Sequence, residues 1–241
     1  MAWHGQQCFT VRCKITQKLS QRTYRRVSSK DADSEVSECH HPSVKPWVEQ
    51  LLPELIDFRR DVHRNPELSF AEYRTTEMIL AQLRAAGLQP VPMNNTGAWV
   101  DVGRGELAIG LRADIDALPV LEETGLPYAS VNEGVAHACG HDIHTTVMLG
   151  AALTLKKLDD EGLLNARVRV IFQPAEEKIP GGALSVIEQG VLDEVPRILA
   201  LHCDPRIDVG RSAPASGQSP RPATPSALRS TAAAGIPRAR T

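Results

Sequence analysis

The stretch LAIGLRADIDALP, residues 107–119, is the part of the sequence that decides the fold class. Its first eight residues form a mostly apolar run that predicts a strand, and the run leads directly into Asp114 and Asp116. Similar strand-like runs alternate along the chain with segments of helical apolar spacing. This alternation predicts an α/β fold in which helices pack on a sheet.

Further elements are predicted on both sides of this stretch. The predicted strands are 98–103, 107–114, 166–172 and 197–202, and the predicted helices are 46–65, 71–87, 144–158 and 181–192. Pro66 marks the expected end of the first helix, and Gly87 is a natural left-handed cap for the second.

The chain divides into three zones. Residues 1–45 are predicted to be disordered or to act as a targeting segment, because the first 30 contain seven Lys or Arg and no acid. Residues 46–211 are predicted to form the folded part of the chain, which the family resemblance described below interprets as a partial catalytic domain. Residues 212–241 carry five prolines and eight alanines, so we expect a disordered tail.

Composition excludes several classes of protein. A net charge of −2 argues against a nucleic-acid binder. No apolar run reaches the roughly 18–20 residues of a membrane span. The five cysteines are scattered and odd in number, which favours free thiols in a reducing compartment. We therefore predict a cytoplasmic protein, or an organellar one if the basic N-terminal segment is a transit peptide.

Candidate ligands follow the predicted strands. Asp114 and Asp116 end one strand, the pair Glu176 and Glu177 follows the next, and His202 ends the last. The stretch HACGHDIH, residues 137–144, stands just before a helix. Ligands of open α/β sheets bind at the carboxyl ends of the strands, so we expect these groups to gather at one edge.

The residue types indicate a metal-dependent hydrolase. A thiolate, imidazoles and carboxylates together suit Zn or Mn. Cys139 and His141 are two residues apart, and an extended chain would point both side chains to one side. Glu176 and Glu177 are adjacent, so one can bind metal while the other faces a water molecule and takes its proton.

Five ordered motifs resemble a known family. They are RRDVHRNPELSFAEYRT, LRADIDALPVLEETGLPYAS, HACGHDIHTTVMLGAA, VRVIFQPAEE and ALHCDP. Over about residues 50–211 the chain resembles the metal-dependent amidohydrolases that cleave N-acyl amino acids, including hippurate hydrolase and the indole-acetyl-amino-acid hydrolases. The resemblance implies a three-layer α/β/α zinc-peptidase-like catalytic domain, two divalent ions (Mn or Zn) and a small N-acyl amino acid substrate.

The resemblance also implies the metal ligands. Cys139 and His141 match the two ligands of the ACGHD motif. Glu177 matches the metal-binding second glutamate of PAEE, and His202 matches the ligand in ALH.

Two further residues receive a catalytic role by the same resemblance. Glu176 matches the general base, and Asp116 matches an aspartate that orients a metal-binding histidine. Asp114 stands where related metallopeptidases keep that histidine, so a capping role at the end of the strand is the alternative.

Three other histidines have interpretations of their own, and for two of them an alternative is open. His144 either supports a ligand or is a satisfied core histidine. His137 either belongs to the site or only shapes its loop. His63 is predicted to interact with carbonyl groups at the end of its helix.

The resemblance stops near residue 211. The family continues into a lid domain, through which it often dimerises, and a late histidine completes its second metal site. We expect both to be absent here, which leaves the second site incomplete. Two rival functions are a non-catalytic fragment with a partial metal site and a structural zinc module. The module is disfavoured, because such sites use ligands in short pairs and only Cys139 and His141 form one.

Overall fold

A computed structural model describes residues 44–205 in full, together with the backbones of two further strands, Val11–Gln17 and Ser212–Ala215. In chain order the strands are β1 Val11–Gln17, β2 Val91–Pro92, β3 Ala98–Val102, β4 Leu107–Asp114, β5 Arg167–Gln173, β6 Arg197–Cys203 and β7 Ser212–Ala215. The helices are α1 Lys45–Arg64, α2 Tyr73–Ala85, α3 His141–Asp160 and α4 Gly182–Glu188.

The sheet brings the carboxyl ends of three strands to one edge. Its strand order is β2-β3-β5-β4-β6-β1-β7, and β4 lies in the centre, parallel to both β5 and β6. Strands β3 and β1 flank this group and run antiparallel to it. Asp114, Gln173 and Cys203 therefore end their strands at the same side of the sheet.

Two apolar cores lie on opposite faces of the sheet. Val170 and Phe172 of β5 join the larger core, which also contains Phe58 of α1 and Leu149 of α3. Ile171 points to the other face and packs with Val186 of α4. Complete burial of a side chain of this size contributes about 1.5–3 kcal/mol. The predicted three-layer α/β/α architecture is confirmed.

The structure refines the predicted elements. Helix α3 begins at His141, three residues before the predicted start, and α4 is shorter than predicted. Strands β1 and β7 fall in the two segments that were predicted to lack regular structure, and in these two stretches the structure differs from that prediction. The rest of both segments lies outside the described residues. Within the described part of the chain, no helix is long and apolar enough to cross a membrane.

A buried charge network joins α1 to the start of α3. His63 lies between two carboxylates: its Nδ1 is 2.8 Å from Asp142 Oδ2, and its Nε2 is 3.1 Å from Glu122 Oε1. Arg59 Nε donates to the same Asp142 oxygen over 2.7 Å. The prediction that His63 interacts with carbonyls at the end of its helix was wrong, because the packing of α1 on α3 turns the ring toward these acids instead.

This network predicts a pH dependence of stability. Burial disfavours a charged His63, but its hydrogen bonds to Asp142 and Glu122 outweigh burial and raise its pKa above 6.5. A raised pKa stabilises the fold below about 6.5, and that contribution is lost as the pH rises through the folded-state pKa. We expect His63→Gln to lower the free energy of unfolding more at pH 6 than at pH 9 in urea titrations. A difference that stays constant or grows with pH would contradict this assignment.

Candidate metal centre

Gly140 shapes the turn that carries the first two candidate ligands. It has φ +86°, and a Cβ at this position would lie 3.4 Å from the Cβ of Cys203. The expected extended chain between Cys139 and His141 was wrong, because a left-handed turn leads directly into α3. The turn nevertheless brings both side chains to the edge of the sheet, where β6 delivers His202.

His141 is shared by all three groups of candidate ligands, two of which contain further residues predicted as ligands from the sequence. Its donor atom lies within 4.8 Å of those of Cys139 and His202, and also within 4.8 Å of those of Glu176 and Glu177. Cys139 Sγ is 3.4 Å from His202 Nε2. The sequence predicted that these five side chains gather at the carboxyl ends of the strands, and the structure brings them together there.

The two ring nitrogens of His141 have different surroundings. Its Nδ1 faces Asp116, 2.9 Å from the backbone oxygen and 3.1 Å from Oδ1, so an Nδ1–H donates to this residue. Its Nε2 is buried and has no hydrogen-bond partner among the described residues. The nearest Glu177 oxygen is 3.7 Å from this nitrogen. A metal ion would satisfy the free Nε2, so the residues present fit such a group.

The electrostatics of the site favour a cation. Burial opposes protonation of His141, but its hydrogen bond to Asp116 and the nearby Cys139 and Asp114 side chains outweigh burial and raise its pKa to about 11. A hydrogen bond with Cys139 likewise raises the pKa of His202. Burial and the neighbouring carboxylates raise the pKa of Glu177. These three side chains therefore hold protons more tightly than they would in isolation. A divalent ion would replace these protons.

Asp116 joins His141, a candidate ligand, to the loop that carries Glu176 and Glu177, here called the acidic loop. Besides His141, it accepts hydrogen bonds from Ser69 Oγ at 2.6 Å and from the backbone N–H of Glu177 at 3.0 Å. Burial alone would raise the pKa of Asp116, but these hydrogen bonds lower it, so the carboxylate is ionised. The sequence assigned no role to Ser69, although this residue lies inside a quoted motif.

Asp114 and His144 also lie near His141, but their polar atoms are already paired. His144 Nδ1 is 2.6 Å from Asp114 Oδ1, and the N–H of Cys203 donates to His144 Nε2 over 2.8 Å. Burial lowers the pKa of His144, so the ring is neutral. Arg112 donates to the other oxygen of Asp114 over 2.7 Å. Both ring nitrogens of His144 are therefore used within the protein, as in a satisfied core histidine.

His137 differs from the other histidines of the motif. It is buried, and neither ring nitrogen has a hydrogen-bond partner in the described part of the chain. Burial lowers its pKa to about 4, so the ring is neutral. His137 is absent from the groups that could hold a metal ion, and its loop-shaping role stays a prediction.

A tight turn presents the acidic pair. Glu176 and Glu177 follow β5 through Pro174 and Ala175, and Ala175 has φ +49°. The N–H of Gly182 donates to the backbone oxygen of Ala175 over 2.8 Å, which closes the loop at its base. The backbone of the acidic pair is thus fixed although both side chains are solvent-accessible.

Gly97 supports this turn from below, and its substitution should be costly. It has φ +88°, and a Cβ there would lie 2.6 Å from Pro174 Cδ and 2.7 Å from Phe172 O. Gly105 is a matched control. It has φ +80°, and a Cβ added there would meet nothing within 4 Å. We expect Gly105→Ala to cost about 1–2 kcal/mol for the left-handed backbone. Gly97→Ala should cost about 2–5 kcal/mol, because overpacking is added. Equal losses of unfolding free energy in urea titrations would contradict the clash.

The fold and this cluster together define a metallopeptidase-like catalytic domain, and comparison with known proteins identifies its family. The sequence profile of Peptidase family M20/M25/M40 matches residues 110–231, just over half of the 241-residue chain. The chain belongs to this family. The match continues past residue 211, where the sequence analysis ended the domain.

Individual relatives agree with this assignment over part of their length. The N-acetyl-L-cysteine deacetylase of Bacillus subtilis (strain 168) is 49% identical over 163 residues, which are 66% of this chain and 38% of that protein. A crystal structure of a dinuclear metal-binding peptidase of the M20 family from Bacillus subtilis shares 44% identity with a TM-score of 0.57, covering 61% of this chain and 42% of that one.

A third relative matches this chain over only a small part of its own length. A Rhodococcus jostii (strain RHA1) protein named as a glutamate–cysteine ligase is 53% identical over 166 residues, but these are only 20% of its length. The match is confined to one fifth of that protein, so its name does not define the shared segment. In all three relatives the chain spans less than half of the protein that it matches.

Proposed function

We propose that this chain carries the metal-dependent amide-hydrolysing site of an enzyme that acts on N-acyl amino acids. One observation carries the proposal: the Nε2 of His141, which has no hydrogen-bond partner among the described residues, lies where a cysteine sulfur, a second imidazole and two carboxylates meet. The sulfur and imidazole donors favour Zn, and the carboxylates also suit Mn.

Four residues would hold the metal. Cys139, His141, Glu177 and His202 are the proposed ligands for one or two divalent ions, with the second site incomplete without a further ligand. An ion bound there supplies a Lewis acid that lowers the pKa of a water molecule toward about 7 and polarises the substrate carbonyl.

The chain's own residues divide the remaining work. Glu176 is the proposed general base: its carboxylate takes a proton from the attacking water and delivers it to the leaving amine. Asp116 holds His141 by its Nδ1–H and also fixes the backbone of Glu177. This arrangement would let Glu177 hold a metal ion and leave Glu176 free for proton transfer.

The substrate class is proposed from the relatives. The Bacillus subtilis relative is named for the deacetylation of N-acetyl-L-cysteine, which is an N-acyl amino acid. A reducing, cytoplasmic location is proposed with it, because Cys139 and Cys203 are free thiols and Cys139 would have to stay reduced to bind metal.

The test is a hydrolysis assay on the purified chain loaded with zinc or manganese. Release of free amino acid from N-acetyl-cysteine, N-acetyl-methionine and hippurate is followed by chromatography, with the chelated protein as control. Metal-dependent release supports the proposal. Tight metal binding without release from any of the three substrates would reject it in favour of the second candidate.

The second candidate is a non-catalytic fragment with a partial metal site. The chain covers 38% and 41% of the two deacetylase relatives from Bacillus subtilis, so the activity of a whole enzyme is a proposal for this chain. The family resemblance implies that a lid domain, through which members often dimerise, would supply substrate contacts. Metal content measured beside the assay distinguishes the two candidates.

A further inference from the structure

Glu72 is a buried carboxylate that the sequence analysis left without a role. It stands immediately before α2 and is completely buried. Such a position is rare for a glutamate unless its oxygens are satisfied. Its two carboxylate oxygens are bound by donors from two distant segments. Oε2 accepts from the hydroxyl of Thr96 at 2.6 Å, and Oε1 accepts from the backbone N–H of Ala175 at 2.7 Å.

The second of these donors links Glu72 to the acidic pair. Ala175 directly precedes Glu176 and adopts a left-handed backbone conformation, which an alanine keeps only when its surroundings enforce it. Its N–H is held by Glu72, and its carbonyl oxygen is held by the N–H of Gly182 at 2.8 Å. Glu72 and Gly182 therefore fix both polar groups of this residue.

A second polar contact connects the start of α2 to the base of the loop that carries Glu176 and Glu177. Thr76, one turn further along α2, accepts the N–H of Gly97 at 2.8 Å, and Gly97 packs directly under Pro174. The start of α2 and the turn before β3 thus form a rigid support beneath the acidic loop.

We propose that Glu72 is a positioning residue for the acidic pair: its buried carboxylate fixes the turn that directs Glu176 and Glu177 toward His141. Its importance for catalysis rests on the proposed function of that pair. Its effect on the turn itself does not, so the two can be tested separately.

The test compares two carboxylates that serve the same helix. Glu67 accepts the backbone N–H groups of Arg74 and Thr75 at 2.9 and 2.8 Å, so it caps α2 without touching the acidic loop. Glu72→Ala and Glu67→Ala are therefore matched variants. Two readouts are taken on the full chain: hydrogen exchange of the Ala175 amide by NMR, and zinc affinity by calorimetric titration.

We expect Glu72→Ala to speed exchange at Ala175 at least tenfold and to weaken zinc binding about tenfold. Glu67→Ala should change neither by more than twofold. Glu72→Gln should restore most of both, because its amide oxygen can still accept the Ala175 N–H. Such rescue distinguishes positioning from a general loss of stability.

Several outcomes would overturn the proposal. Unchanged exchange at Ala175 in Glu72→Ala would show that the carboxylate does not hold the turn. Equal effects in the Glu67 variant would show that only helix stability matters. If Glu72→Ala does not fold, Thr96→Val, which releases one Glu72 oxygen, must still speed exchange at Ala175. A chain that binds no zinc at all would reject the metal site, whereas the exchange measurement would still decide the role of Glu72.

Discussion

Glu176→Gln will lower hydrolysis of N-acyl amino acids by about 10²–10⁴-fold and leave metal binding unchanged, because it removes a proton acceptor and no ligand. The amide of Gln has nearly the shape of the carboxylate but cannot take the proton from water at neutral pH. The measurement is kcat for N-acetyl-methionine hydrolysis, with zinc affinity determined by calorimetry on the same preparation.

Glu188→Gln is the matched control for this prediction. Glu188 is an exposed residue of α4, and the proposed site does not include it. Its substitution should leave both kcat and metal affinity within a factor of two. Unchanged turnover in Glu176→Gln would remove Glu176 from the role of base, and loss of metal would make it a ligand instead.

His141→Ala will have the largest effect on metal binding, with a loss of at least a hundredfold in zinc affinity. His141 is the member shared by the thiolate group and the acidic group, so its removal affects both. Loss of a residue that merely orients a ligand costs 10–100-fold, and loss of the ligand itself should exceed that range. Calorimetric titration of the metal-free protein measures the effect.

His137→Phe provides the control for that variant. His137 belongs to the same motif and is also buried, but it is not part of a candidate metal group in the described residues. We expect its substitution to leave zinc affinity within threefold of the wild type. A comparable loss in both variants would mean that the motif matters for folding rather than for coordination.

The edge of the sheet that carries the site was predictable from sequence. Three predicted strands lead into Asp114, the PAEE motif and His202. Neighbouring parallel strands end at the same side of a sheet, and β4, β5 and β6 do so. The three-layer architecture followed from alternating strands and helices, together with the family resemblance.

Local geometry was not predictable in the same way. The spacing of Cys139 and His141 was interpreted as extended chain, whereas Gly140 makes a left-handed turn. A single glycine in a motif does not reveal its φ, since glycine tolerates both signs.

The buried polar partners were missed for a different reason. His63 meets Asp142 from 79 residues away, and Glu72 meets Ala175 from 103 residues away. Such pairs depend on how α1 and α2 pack against the rest of the domain, which local periodicity does not encode. The only sequence signal for Glu72 was a charged residue at a position that the helix buries.

The central claim is that the thiolate of Cys139 binds a metal ion together with imidazole and carboxylate groups. X-ray absorption spectroscopy of the zinc-loaded chain tests this claim directly. The account predicts one sulfur at about 2.3 Å beside nitrogen and oxygen at about 2.0–2.2 Å. The sulfur signal should disappear in Cys139→Ser and persist in Cys203→Ser, because burial raises the pKa of Cys203 to about 12 and keeps that thiol protonated. Stoichiometric zinc with no sulfur ligand in the wild-type chain would contradict the account.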